Sequence, residues 1–138
     1  MTLNALQKHL QLAPLTSLGL GGNASFFVRV LNQPHLLEAL QWAAQEEHVV
    51  YILGSGSNIL IADEGLVGCV LQIDIKGIDK VSDSKEVVTL RVAAGEVWDD
   101  LVAYAVKHDF AGIECLSGIP GCVGAAPIQN IGAYGQEV

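Results

Sequence analysis

The spacing of apolar positions changes several times along the chain, and each change marks a new element. After a short N-terminal lead, residues 25–31 are β-branched and aromatic, with Phe26, Phe27, Val28 and Val30, and predict a strand. Pro34 opens a helix in which Leu36, Leu37, Leu40, Ala43, Ala44 and Glu47 share one face through about residue 48, with Glu38, Gln41 and Gln45 outside. Residues 49–53 form an all-apolar run of the kind expected in a strand buried on both faces, and Gly54-Ser55-Gly56-Ser57-Asn58 follows it. Residues 59–62, 68–73 and 87–93 predict further strands, and the polar stretch 79–86 predicts a surface turn. Val97, Leu101, Val102, Ala105 and Val106 then predict a second amphipathic helix to about His108.

Between Gly112 and Gly135 the pattern changes to Gly112, Gly118, Gly121, Gly124, Gly132 and Gly135 with Pro120 and Pro127. Ile113, Leu116, Ile119, Val123, Ile128 and Ile131 are interleaved with them. That mixture favours an ordered ligand loop over a solvated low-complexity linker.

Composition narrows the function classes. The 138 residues are 51% hydrophobic and 16% charged, enough for a sizeable core in one domain or in a piece of a larger protein. No run approaches the roughly 18 apolar residues of a membrane span. Residues 1–12 lack the pattern of a secretory signal, so a cytoplasmic location is expected. A formal net charge of −8 argues against nucleic-acid binding. An anionic ligand would then need backbone N–H donors.

Cys69, Cys115 and Cys122 are an odd count without zinc-like spacing, and small buried or half-buried thiols in a reducing compartment are expected. A reactive thiol stays open for Cys122, which sits among glycines. His9, His35, His48 and His108 show no ligand spacing, so no metal site is expected, and His35 and His48 are expected to be solvated. Trp42 and Trp98 fall on helix-spaced stretches and suggest packing. Glu96, Asp99 and Asp100 suit the dipole at a helix start; Glu114 has no evident role.

Glycine clusters can cradle phosphates, because positive φ lets successive N–H groups point inward. Gly19-Leu20-Gly21-Gly22-Asn23-Ala24 matches the dinucleotide spacing, yet a strand is expected after it rather than a helix and none before it, so a tight turn fits better. The 54–58 loop offers neutral donors suited to a pyrophosphate, with a hairpin turn as the alternative. No Gly-Lys-Ser/Thr sequence supports a P-loop.

The segment Ile119-Pro120-Gly121-Cys122-Val123-Gly124, then Pro127-Ile128-Gln129-Asn130 and Gly132-Ala133-Tyr134-Gly135, could line one flat aromatic ligand. It resembles the corresponding block of the UDP-N-acetylenolpyruvoylglucosamine reductase family. The likeness extends to Thr16-Ser17-Leu18-Gly19, residues 53–58, Lys76-Gly77-Ile78 and Ala94-Gly95-Glu96. It implies an α/β (α+β) fold of the PCMH, or vanillyl-alcohol-oxidase, type, with FAD between two small subdomains, 1–73 and 74–138, the second truncated and a substrate domain absent.

By the resemblance, Gly54, Ser55, Gly56, Ser57 and Asn58 would bind the FAD pyrophosphate, while Ile119, Pro120, Gly121, Gly124, Ile128, Gln129, Asn130 and Gly132 would line the flavin. Tyr134 would lie on the substrate side, with aromatic packing as the alternative. Ala125-Ala126 stands where some members carry two serines, but backbone donors would survive there, and the expected effect is on the order of one hydrogen bond each.

The family reaction takes hydride from NADPH through FAD to UDP-N-acetylglucosamine-enolpyruvate. Its proton-donating serine and the supporting arginine and glutamate belong to later sequence, so no catalytic residue is expected in this chain, which should be inactive alone. Without a histidine in the 54–58 loop, FAD would be non-covalent. A monomer is expected for the full-length protein, and self-association stays open for the fragment. A sugar or alcohol oxidase of the same superfamily, or a chain that folds and binds nothing, are the alternatives.

Overall fold

Strand β2 (Asn23–Val30) runs through the middle of the first of two units. The computed structural model describes residues 3–138, with one unit ending at Ile75 and the other spanning Lys76–Val138. In the first unit β1 (Gln7–Gln11) pairs antiparallel with β2, while β4 (Leu66–Ile73) lies parallel to both β2 and β3 (Val50–Leu53). The strand order is β1-β2-β4-β3.

Successive strand residues face opposite sides of a sheet. Val28, Val30, Cys69 and Leu71 therefore pack on one side against Ala39, Trp42 and Ala43 of helix α1 (Gln33–Gln45). Leu12, Ala24, Phe27, Leu53, Ile61 and Val70 form the core of the other side. Ala24 shares that side with Phe27, three residues on, because the register shifts between Ala24 and Phe26.

Helix α1 begins at Asn32, whose side chain accepts from the His35 N–H at 2.9 Å. It stops short of the expected residue 48 because Glu47 turns left-handed, at φ 56°, and His48 N–H donates to Ala43 O at 2.8 Å. His48 is not solvated as expected. Its ring lies half-buried, 4.4 Å from the Phe26 ring and 5.3 Å from that of Trp42. His35 is also half-buried.

Three further expectations are corrected in the strands. β3 is an edge strand rather than one buried on both faces, and its Ile52 is 59% exposed. Residues 59–62 form no strand: Ile59 and Ile61 fill the Leu12 core instead of joining a ladder. β1 arises from Gln7-Lys8-His9-Leu10-Gln11, a polar sequence that β2 pairs.

In the second unit, β5 (Ile78–Asp83) pairs antiparallel with β6 (Val88–Val92), so the expected 79–86 turn shrinks to the residues around Ser84. Ser84 Oγ donates to Val87 O at 2.9 Å and accepts from Val87 N–H at 3.0 Å. Backbone pairing needs no apolar side chain, and all of β5 beyond Ile78 is exposed. Helix α2 (Trp98–Lys107) buries Trp98, Leu101, Val102 and Ala105. Its N-terminal half packs with Leu116 and Ala126 to form the core of this unit.

Candidate functional site

The 54–58 loop leaves the C-terminal end of β3 and is held from behind. Gly56 has φ 73°, and a Cβ there would overlap the Leu15 carbonyl oxygen and lie 2.9 Å from Thr16 Cα. Ser17 N–H donates to Gly56 O at 3.0 Å. The buried Thr16 hydroxyl lies 2.9 Å from Leu20 O and 3.1 Å from Ala13 O, which fixes the supporting segment.

On the other side of the loop, Ser55 and Asn58 are exposed. Among the described residues, the N–H groups of Ser55, Gly56 and Asn58 donate to no backbone carbonyl. A braced loop with neutral N–H donors left out of backbone pairing is chemically suited to phosphate oxygens.

The 19–24 segment is irregular chain through Gly22 that runs straight into β2 at Asn23. β1 does precede it, which the sequence did not suggest, but a 3-10 turn at Ala13–Leu15 intervenes, and strand β2 follows. The dinucleotide fingerprint requires a strand leading directly through the glycines into a helix.

In the second unit, residues 119–137 fold as a short bridge, a one-turn helix α3 (Ala126–Gln129) and a hairpin of β7 (Gly132–Ala133) and β8 (Gln136–Glu137). Val97 and Cys122 form an isolated antiparallel bridge. Val123 N–H donates to Glu96 O and Gly124 N–H to Ala94 O, both at 2.9 Å. Gly124 allows this approach, since a Cβ would come within 2.6 Å of Ala94 Cβ.

The backbone donors expected to stand in for the two missing serine hydroxyls are engaged. Ala125 N–H donates to Cys122 O at 2.9 Å, and Ala126 N–H lies 3.2 Å from both Cys122 O and Val123 O. Tight turning around Cys122 uses them. Ala126 is buried in the core, whereas Ala125 is half-buried.

Asn130 ends α3 in the left-handed region at φ 47°, and its Nδ2 donates to Glu137 Oε2 at 3.1 Å. Ile128 and Tyr134 are 85% and 93% exposed. Tyr134 occupies the hairpin turn with Gly135, at φ 52° and 81°. Pro120, Gln129 and Gly132 are exposed, while Ile119 and Gly121 are half-buried.

Cys122 and Cys69 are buried, and burial pushes the Cys69 thiol up to about 11. Cys115 departs from expectation by being exposed. Both tryptophans are buried as expected, and Trp98 Nε1 donates to Leu116 O at 2.9 Å.

Sequence reasoning assigned Glu96 and Asp99 to the helix dipole and missed their partners. Glu96 Oε1 accepts from Gly77 N–H at 2.6 Å. Asp99 Oδ1 accepts from Gly118 N–H at 2.7 Å and Ser117 Oγ at 2.9 Å, bonds that lower its pKa. Glu114 is likewise lowered, by its own N–H and that of Gly112. No local motif announces these contacts, which span 18 to 19 residues for Asp99 and 19 for Glu96. Among the described residues no three His, Cys, Asp or Glu side chains are placed to hold a metal ion, and no helix is long and apolar enough to cross a membrane.

A family model described as an FAD binding domain matches residues 24–138. The chain belongs to that family. This FAD-binding domain is 43% identical over 127 residues to the UDP-N-acetylenolpyruvoylglucosamine reductase of Salinispora arenicola, covering 92% of this chain and 35% of the relative. It is 46% identical over 129 residues to the reductase of the same name from Saccharopolyspora erythraea, again covering 92% and 35%. The crystal structure of UDP-N-acetylenolpyruvylglucosamine reductase from Thermus caldophilus aligns with a TM-score of 0.72 at 30% identity, covering 93% of this chain and 43% of that one. The PCMH-type fold implied by the resemblance is thus the fold found. The chain spans about a third of the length of the curated relatives it matches.

Proposed function

We propose that this chain is the cofactor-binding part of the NADPH-dependent reductase that converts UDP-N-acetylglucosamine-enolpyruvate to UDP-N-acetylmuramate, a step of peptidoglycan precursor synthesis in the cytoplasm. The two units correspond to the first and second FAD-binding subdomains, and the full-length protein acts as a monomer. The observation that carries the reading is the 54–58 loop: Ser55, Gly56 and Asn58 keep their N–H groups out of backbone pairing while Leu15, Thr16 and Ser17 brace the loop from behind. Neutral donors of this kind fit a pyrophosphate.

In this reading Gly54, Ser55, Gly56, Ser57 and Asn58 hold the pyrophosphate. Ile119, Pro120, Gly121, Gly124, Ile128, Gln129, Asn130 and Gly132 line the flavin, and Tyr134 lies toward the substrate. When bound, non-covalent FAD supplies hydride-transfer chemistry between NADPH and the enol ether. The chain's own residues bind and orient the cofactor. Titration of the purified chain with FAD, followed by the visible spectrum, tests this: saturable binding supports the reading, and its absence overturns the assignment of a working flavin site in this chain.

A further inference from the structure

The first turn of α2 grips the start of the segment read as lining the flavin. Trp98 N–H donates to Gly121 O at 3.0 Å, and the indole Nε1 donates to Leu116 O. Between these points Asp99 Oδ1 takes both Gly118 N–H and Ser117 Oγ. Ile119-Pro120 is therefore held at both ends. Gly118 sits at φ 77°, with nothing within 4 Å of where a Cβ would stand.

Helix-dipole stabilisation does not account for the arrangement, because Asp100 stands in the same turn and would serve the dipole equally well. Asp100 has no loop partner among the described residues, whereas Asp99 makes charge-assisted bonds to two. We propose that Asp99 is a positioning residue, which sets the entry of Ile119-Pro120-Gly121 and thereby the affinity and surroundings of a bound flavin. This rests on the flavin reading of that segment.

The test uses the whole 138-residue chain with Asp99→Ala, Asp99→Asn, Asp100→Ala and Ser117→Ala. Without flavin, amide exchange at Gly118 should be faster in Asp99→Ala, close to the parent in Asp99→Asn, which keeps Oδ1 as acceptor, and unchanged in Asp100→Ala. In FAD titrations Asp99→Ala should raise Kd about tenfold, the equivalent of about 1.4 kcal/mol, and shift the visible band of bound flavin. Asp99→Asn should recover most of both effects, and Ser117→Ala should fall between. Equal losses from Asp99→Ala and Asp100→Ala would assign the effect to helix charge and overturn the proposal. Faster Gly118 exchange with unchanged Kd and spectrum would overturn it too. If the parent chain takes up no FAD, the flavin reading itself fails and the proposal falls with it, an outcome recognisable because it precedes any substitution.

Discussion

Gly56 and Leu15 meet backbone to backbone, with Gly56 at φ 73° and no room for a side chain on the face turned to the Leu15 carbonyl. The contact couples the candidate pyrophosphate loop to the Leu12 core, which Leu15 joins. Gly56→Ala should cost about 1–2 kcal/mol from the left-handed backbone alone, with further loss from the overlap. Gly19→Ala is the control, because Gly19 has φ 65° and open space. Thermal melts and FAD titrations of both should show the larger loss of stability and flavin uptake at Gly56, and equal losses would show that the brace is immaterial.

Ala125 and Ala126 should respond differently to serine. At Ala126 the hydroxyl enters the core of the second unit, and burial without a good partner should cost about 1–3 kcal/mol. Ala125 is half-buried, so Ala125→Ser should leave stability unchanged and strengthen FAD binding by about one hydrogen bond's worth, roughly 1 kcal/mol. Denaturant titration combined with FAD titration of the two variants separates these effects.

Trp98→Phe keeps an aromatic ring in the core but removes the donor to Leu116 O. A buried carbonyl left without its partner should cost about 1–3 kcal/mol, measured as a lower denaturant midpoint.

Thiol labelling near neutral pH should modify Cys115 rapidly and leave Cys69 and Cys122 slow, as their burial dictates. The Cys69 thiol loses its proton at about 11 in the folded chain against an ordinary 9.0, because burial penalises the thiolate. The unfolded chain therefore ionises first. The stability linked to Cys69 is complete below pH 9.0 and is lost as pH rises through about 11. Melting temperatures across that window should fall, and Cys69→Ala should remove that part of the decline.

The two longer helices and three of the strands were legible because their apolar spacing is local and repeats: β2, α1, β4, β6 and α2 lie within a few residues of their expected bounds. Errors clustered where an element owes its existence to a neighbour. Gln7–Gln11 and Ile78–Asp83 pair with strands that supply the apolar surface, so their own sequences stay polar. Conversely, the apolar residues 59–62 look like a strand but lie where chain crossing the Leu12 core is needed.

The glycine loops and their motif blocks stand in the sequence itself, since glycine at a tight approach leaves a local mark. The amino-acid order was enough to determine which family the chain resembles and which segments are candidates for the cofactor. Tertiary structure alone decided which backbone donors remain in those segments. It left the N–H groups of Ser55, Gly56 and Asn58 out of backbone pairing, engaged those of Val123, Gly124, Ala125 and Ala126, and brought Asp99 onto Ser117 and Gly118. Hydrogen bonds between residues distant along the chain depend on where the fold places each group, and no local pattern of residue types encodes that placement.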